Sequence, residues 1–159
     1  MTDSAPSSDE YQRVADLIDR WVDVELPNNP AVLAVDRGEP GEHRWYLRLK
    51  GEEKDITTVW LQLRQRTLHY ETYVLPAPEE RQAQVFEQAL RRNRGLHGIA
   101  FVIGPEDALY LEGRLALEAV DEAALDRIIG SLYSTVELSF RSLVRLAFGS
   151  RFSGAPEPD

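Results

Sequence analysis

Three histidines are the side chains of this sequence best suited to metal binding or acid–base chemistry. His43, His69 and His97 lie far apart, and none has a second histidine four residues away. A metal site would therefore need ligands from distant parts of the chain. The sequence contains no cysteine, which excludes disulfides, zinc–thiolate sites and thiol catalysis. We expect structural or surface roles for the histidines, with no metal and no cofactor.

Carboxylates are abundant, but their positions fit structural roles. Glu79 and Glu80 follow Pro76 and Pro78, a pattern typical of a helix start, where negative charge is favourable. The sequence contains neither the GxSxG motif of a serine nucleophile nor the glycine-rich loops that bind nucleotides. We predict that the protein is not an enzyme and has no catalytic residue.

A basic cluster comprises Arg91, Arg92 and Arg94, close to the end of a predicted helix. It could bind an acidic segment of a partner, or it could cap the helix and face solvent. Asn93 falls on the apolar side of the same helix, seven residues after Phe86. We expect Asn93 to be half-buried and to bond backbone groups of the turn that follows.

Large aromatic residues form the remaining candidate site. Tyr46, Trp60, Tyr73 and Tyr110 alternate with the main apolar residues of their predicted strands, so they should share the opposite sheet face. Aromatic side chains with arginines around them are typical of protein interfaces. Cross-strand aromatic pairs that stabilise a solvent-facing sheet surface would give the same pattern. Both interpretations remain open at this point.

Period-2 alternation predicts the strands that would position these residues. It is present in residues 44–49, 59–64, 68–74, 99–103 and 109–115, and residues 31–36 are a candidate for one more short strand. The links between the strands are short enough for hairpins, which implies antiparallel pairing. The predicted fold is α+β, with an antiparallel sheet of about five strands, helices on one face and the order α-β-β-β-α-β-β-α.

Three predicted helices complete this order. The first should start at Ser7, which forms a capping box with Glu10, and end at the Pro-Asn-Asn-Pro run of residues 27–30. The second should start at residues 76–80 and end at a left-handed Gly95. The third should run from Asp121 almost to Gly149. Its distal apolar residues extend beyond a sheet of short strands, so we predict a homodimer contact there: Phe140, Val144 and Phe148.

Composition narrows the function classes further. The net charge of −9 disfavours nucleic acid and anionic membrane surfaces as partners. No stretch approaches the roughly 20 apolar residues of a membrane helix, and the N-terminus does not look like a signal peptide. We expect a soluble, cytoplasmic protein with a single domain at residues 7–152 and disordered tails at residues 1–6 and 153–159.

Three stretches of the sequence carry a family resemblance. They are residues 44–60 with Arg44-Trp45-Tyr46-Leu47-Arg48-Leu49, residues 67–80 with His69-Tyr70-Glu71-Thr72-Tyr73, and residues 89–111 with Leu90-Arg91-Arg92-Asn93 before Gly98. This pattern resembles the actinobacterial branch of the YbjN family. Members of that family look like class I type III secretion chaperones, which are small, acidic, often dimeric and not enzymes. The resemblance therefore implies a binding function.

Together these observations predict a chaperone-like or adaptor-like protein-binding domain with an unknown protein partner. The predicted contacts are the aromatic face, Arg91 and Arg92. A ligand-sensing regulator, with a small molecule between the sheet and the last helix, is one alternative, and an enzyme without a local motif is another. A deep apolar cavity would favour the regulator, whereas a pocket with carboxylates or histidine of shifted pKa would favour the enzyme.

Overall fold

A six-stranded antiparallel sheet forms the centre of the protein in the computed structural model, which describes residues 8–152. The strands are β1 (Val32–Arg37), β2 (Arg44–Lys50), β3 (Ile56–Leu63), β4 (Thr67–Leu75), β5 (Ala100–Ile103) and β6 (Leu109–Ala116), in the spatial order β1-β2-β3-β4-β6-β5. The helices are α1 (Ser8–Arg20), α2 (Gln82–Asn93) and α3 (Glu122–Phe152). The α+β class and the antiparallel pairing are confirmed.

The sheet has one strand more than the five predicted. Residues 31–36, only a candidate strand in the sequence, form most of β1, which pairs with β2. The proposed cap at Ser7 and the proposed tails at residues 1–6 and 153–159 lie outside the described residues.

The helices and one face of the sheet share a single hydrophobic core. Strand residues of one parity are almost fully buried, among them Leu47, Leu61 and Leu111, and they form one cluster with Ile18, Val85, Leu132 and other helix residues. Alternation sets this arrangement, because side chains two apart on a strand point to the same face. The residues of opposite parity, including Trp60, are therefore on the face away from this core.

The first helical segment ends near the Pro-Asn-Asn-Pro run, as predicted. After α1, one wide π-type turn at Trp21–Glu25 and a short 3₁₀ turn at Leu26–Asn28 lead into β1. Trp21 is fully buried, and its Nε1 donates to Oδ1 of Asp126 on α3 at 2.9 Å. This bond joins the end of the first helical segment to α3.

The start of the second helix differs from the prediction. Residues 76–80 are not helical, and α2 begins only at Gln82. Glu79 forms an ion pair with Arg151, and the carboxylate of Glu80 accepts hydrogen bonds from the backbone and hydroxyl of Ser150. The two acids therefore hold the end of α3 rather than the start of α2.

The end of α2 also differs. Gly95 is not left-handed; in this region the positive φ belongs to Gly98, at 77°. Asn93 is half-buried as predicted, but its amide bonds Phe101 of β5 rather than the turn.

The last helix keeps helical backbone angles through Gly130. A Cβ atom at Gly130 would have no neighbouring atom within 4 Å, so close packing does not require a glycine at this position. The departure from helical geometry comes instead at Phe148, with φ −137° and ψ 22°. There the carbonyl of Ala147 accepts from the backbone N–H groups of Glu79 and Glu80. The distal turn of α3 is thus attached to the segment before α2.

Candidate binding surfaces

The aromatic residues occupy the sheet face opposite the helices, in two separate pairs. Tyr46 and Trp60 are direct cross-strand neighbours on β2 and β3, with their rings edge to face at 6.4 Å. Trp60 is 37% exposed, whereas Val59 and Leu61 on either side of it are buried. This first pair gives the outer face a fixed apolar surface that solvent can reach.

The second aromatic pair lies on β4 and β6. The rings of Tyr73 and Tyr110 meet edge to face at 5.5 Å, and both side chains are half-buried. Gly104 lies directly against Tyr110, because a methyl group there would approach its ring to 2.4 Å. Cross-strand aromatic contacts of this kind stabilise a sheet surface, and they are compatible with both the structural and the binding interpretation of these residues.

Two glutamates separate the aromatic pairs. Strand register places Trp60 beside Glu71 on β4, and Glu71 beside Glu112 on β6. Burial and the neighbouring Glu112 carboxylate raise the pKa of Glu71. His69, almost fully buried on the same face, has its Nε2 3.8 Å from Oε1 of Glu71. Sequence reasoning missed this cluster, because the partnership of β4 with β6 is not visible along the chain.

A surface cavity of about 320 Å³ lies where β4 meets the distal half of α3. Its lining is mainly apolar and includes Tyr73, Phe140, Val144 and Phe148. The structure thus brings one residue of the predicted aromatic face together with all three residues of the predicted dimer contact. Arg151, another lining residue, lies over the ring of Phe148 at 5.8 Å.

Lys54 forms one wall of this cavity and was not singled out from the sequence. Its Nζ donates to the carbonyls of Tyr73 at 2.6 Å and Val74 at 3.1 Å, next to a β-bulge in β4. The ammonium also lies 5.1 Å from the ring centroid of Tyr73 and 5.7 Å from that of Phe140. Burial lowers the pKa of Lys54 to about 8. The amine is therefore a polar group at the edge of an apolar cavity.

The basic cluster lies on the helix side of the sheet, away from the aromatic face. Arg91 is exposed and pairs with Glu87 one turn earlier. Arg92 is half-buried, and its Nη2 donates to the hydroxyl of Ser142 on α3 at 2.9 Å. The structure does not bring the two arginines together with Tyr46 or Trp60.

The outer face has exposed charged side chains around its aromatic pairs. Arg48 forms an ion pair with Asp36 of β1, and Arg64 and Arg114 are exposed at the end of the sheet near His69.

Within residues 8–152, no helix is long and apolar enough to cross a membrane.

Solved structures of type III secretion chaperones share this fold of an antiparallel sheet with helices on one face. A chain of the HopA1–SchA chaperone–effector complex aligns with a TM-score of 0.54 and 12% identity, over 87% of this chain and 99% of that one. The Yersinia pestis type III secretion chaperone SycH, in complex with a stable fragment of YscM2, aligns with a TM-score of 0.51 and 16% identity, over 82% of this chain and 98% of that one. At these identities the likeness establishes the fold.

The chain belongs to the YbjN family, whose description is "Putative bacterial sensory transduction regulator" and which matches residues 30–144. The uncharacterized protein Rv0487 of Mycobacterium tuberculosis is 34% identical over 104 residues, which are 65% of this chain and 57% of that protein. The uncharacterized protein ML2442 of Mycobacterium leprae is 32% identical over 107 residues, or 67% of this chain and 58% of that protein. The chain therefore spans little more than half the length of these relatives.

Proposed function

We propose that this protein is a cytoplasmic, non-enzymatic protein-binding domain that holds a segment of a partner on its aromatic sheet face. The observation that carries the proposal is Trp60, which stays 37% exposed beside Tyr46 although the same strand buries Val59 and Leu61. Rigid aromatic side chains anchor partners at a low cost in side-chain entropy. The fold, shared with chaperones solved in complex with other proteins, supports the same function.

An extended peptide is the partner that this surface would suit best. It could cross the face over Tyr46 and Trp60, with Tyr73 and Tyr110 forming a second contact and Arg48, Arg64 and Arg114 a polar rim. It could also pair with one of the edge strands, β1 or β5. Arg91 and Arg92 could contribute only to a contact on the helix side.

Trp60→Ala is expected to abolish partner capture while lowering the free energy of unfolding by less than about 1.5 kcal/mol, because truncating a solvent-facing residue leaves no core cavity. The measurement is affinity capture by the tagged full chain from lysate of the source organism, with captured proteins quantified by mass spectrometry. Urea denaturation of the same preparations gives the stability.

Leu90→Ala is the matched control, because Leu90 is 65% exposed but lies on α2, on the helix side. The control should capture the same proteins as the unaltered chain. Equal capture by the Trp60 variant would refute binding at the aromatic face, and loss in the Leu90 variant alone would move the contact to the side of Arg91 and Arg92. Unfolding of the Trp60 variant would show that the residue belongs to the core.

We also propose that the protein is a homodimer through Phe140, Val144 and Phe148. These three residues are only half-buried within one chain and line the apolar cavity beside β4. Apolar surface of this kind commonly marks an interface. In a two-fold dimer the same surface of both copies meets, so these residues of a second copy could fill the cavity of the first.

Light scattering at tens of micromolar should give about twice the mass of one chain, and Val144→Glu should reduce it to one. The charge would have to be buried without a partner, which disfavours association. Leu138→Glu is the control on the same helix, because Leu138 is 81% exposed and lies outside the cavity lining. A monomeric unaltered chain would contradict the dimer, and dissociation by the Leu138 variant alone would place the contact on another face of α3. Circular dichroism identifies a variant that has unfolded.

A ligand-sensing regulator is the second candidate, and the cavity beside Lys54 is the observation that favours it. The site combines apolar walls with two cationic groups, Lys54 and Arg151. A small molecule with an apolar body and an acidic group would match this chemistry. In the light-scattering experiment, a change of mass when such a compound is added would support this candidate. The change could be from monomer to dimer or from dimer to monomer.

A further inference from the structure

Three potential metal ligands converge at the centre of the outer sheet face. His69 and Glu71 project from the same side of β4, and Glu112 lies directly opposite Glu71 on β6. One ligand atom from each of the three residues lies within 4.8 Å of the other two. The residues are held on neighbouring strands rather than on loops, which is the kind of support that a binding site requires.

The state of His69 is a second, independent observation. Its side chain is only 8% exposed, and its Nδ1 is buried with no hydrogen-bond partner. Its Nε2 lies 3.8 Å from Glu71, which is too far for a hydrogen bond. Leaving a buried polar group unpaired is costly, and a metal ion would remove that cost if it bound at Nδ1.

Electrostatics at the cluster favour a cation. Glu71 and Glu112 are half-buried carboxylates in direct cross-strand register, an arrangement that is unfavourable when both are charged. A metal ion binds the lone pair of a neutral imidazole, and two cationic side chains, Arg64 and Arg114, lie near His69. The two arginines are exposed, and solvent screens their charge.

We propose that His69, Glu71 and Glu112 bind one divalent transition-metal ion, with Zn²⁺ as the best chemical match. Imidazole and carboxylate ligands suit this class of ion, and three protein ligands leave the fourth position of a zinc site open. In a tetrahedral site with ligands about 2.1 Å from the ion, the ligand atoms are about 3.4 Å apart, so atoms up to 4.8 Å apart must approach one another by as much as about 1.4 Å. The two glutamate side chains, which have three rotatable bonds each, would make that movement.

The site would allow the outer face to coordinate a metal ion, which the aromatic pairs alone cannot do. The three ligands lie on the sheet face away from the core, and Glu71 is the cross-strand neighbour of Trp60, so water or a histidine or carboxylate of a partner could complete the shell. The proposal does not rest on partner binding, since the three ligands all belong to this chain.

Titration of the metal-free full chain with ZnCl₂ at neutral pH, followed by calorimetry, should show one equivalent bound per chain. CoCl₂ should give the visible absorption bands of a low-coordinate cobalt site. Glu71→Gln and Glu112→Gln keep the side-chain shape but remove the charge, and each should weaken Zn²⁺ binding on the order of 100-fold or more, since even the loss of an outer-shell partner costs 10–100-fold. His69→Asn should do the same.

His97→Ala is the control, because His97 is exposed and lies outside the cluster. Its variant should bind Zn²⁺ like the unaltered chain. If His69→Asn unfolds, the two glutamine variants decide the question, because Glu71 and Glu112 contribute little to the core. The proposal is overturned if the unaltered chain binds no Zn²⁺ at micromolar concentration, or if both glutamine variants retain its affinity.

Discussion

Leu61→Ala is expected to lower the free energy of unfolding by about 2–5 kcal/mol, the range for removing a buried leucine side chain. Leu61 is 1% exposed and lies at mid-strand in β3, directly between Trp45 of β2 and Tyr70 of β4. The sheet backbone on both sides is held by ladders of hydrogen bonds, so the neighbours can close the resulting cavity only in part. Urea denaturation monitored by tryptophan fluorescence measures the effect.

The adjacent residue supplies the control for this experiment. Trp60→Ala removes a larger side chain from the same strand, but from the opposite face, and should cost less than about 1.5 kcal/mol. The contrast between two consecutive residues tests the assignment of faces directly. A loss below 1 kcal/mol for the Leu61 variant, or a larger loss for the Trp60 variant, would mean that the faces are reversed.

The face assignment could be made from the sequence because it depends only on local parity. Alternation in β2, β3 and β4 places Leu47, Leu61 and Tyr70 on one side and Tyr46 and Trp60 on the other, whatever the order of the strands. The helices cover the face with the larger apolar surface. Fold class therefore followed from patterns of a few residues.

The start of α2 could not be predicted in the same way. Pro76 and Pro78 with two acids fit a helix start, but proline fits an extended segment equally well. The choice depends on Ser150 and Arg151, which lie about 70 residues further along the chain and bind Glu80 and Glu79. Once the acids hold the end of α3, the chain reaches α2 only after Arg81, a left-handed residue with φ 51°.

The candidate sites were even harder to predict from the sequence than the start of α2, because they depend on residues that are distant in the chain. Lys54 occurs in a polar turn, and its burial depends on the bulge in β4 and on Phe140 of α3. The cluster of His69, Glu71 and Glu112 depends on β6 lying beside β4, although α2 and β5 come between them in the chain. Such non-local neighbours follow from the packing of the whole domain, so no local sequence pattern predicts these sites.

Asn93→Ala is expected to lower the free energy of unfolding by about 1–3 kcal/mol, because it removes two hydrogen bonds to the backbone of one residue. The side-chain oxygen of Asn93 accepts from the N–H of Phe101 at 2.6 Å, and its amide group donates to the carbonyl of Phe101 at 3.1 Å. β5 is an edge strand, so Asn93 takes the place of a neighbouring strand at that point. Its role is structural, as expected from the sequence, although the backbone groups that it bonds belong to β5 rather than to the turn.

Asn93→Asp separates the two hydrogen bonds. The introduced carboxylate can still accept from the N–H of Phe101, but its second oxygen faces the carbonyl of Phe101 and repels it. Protonation restores a donor, so the folded state should raise the pKa of the introduced carboxyl above its unfolded value of about 3.9. A raised carboxyl pKa means that stability lost at neutral pH returns as the pH falls through the folded-state pKa.

The deficit of this variant, measured against the unaltered chain at each pH, should therefore shrink from neutral pH to about pH 4. Asn93→Ala has no titrating group, and its deficit should stay constant over the same range, which makes it the matched control. A deficit for Asn93→Asp that does not change with pH would show that the amide does not donate to Phe101. A loss below about 0.5 kcal/mol for Asn93→Ala would show that water replaces the side chain at this edge of the sheet without cost.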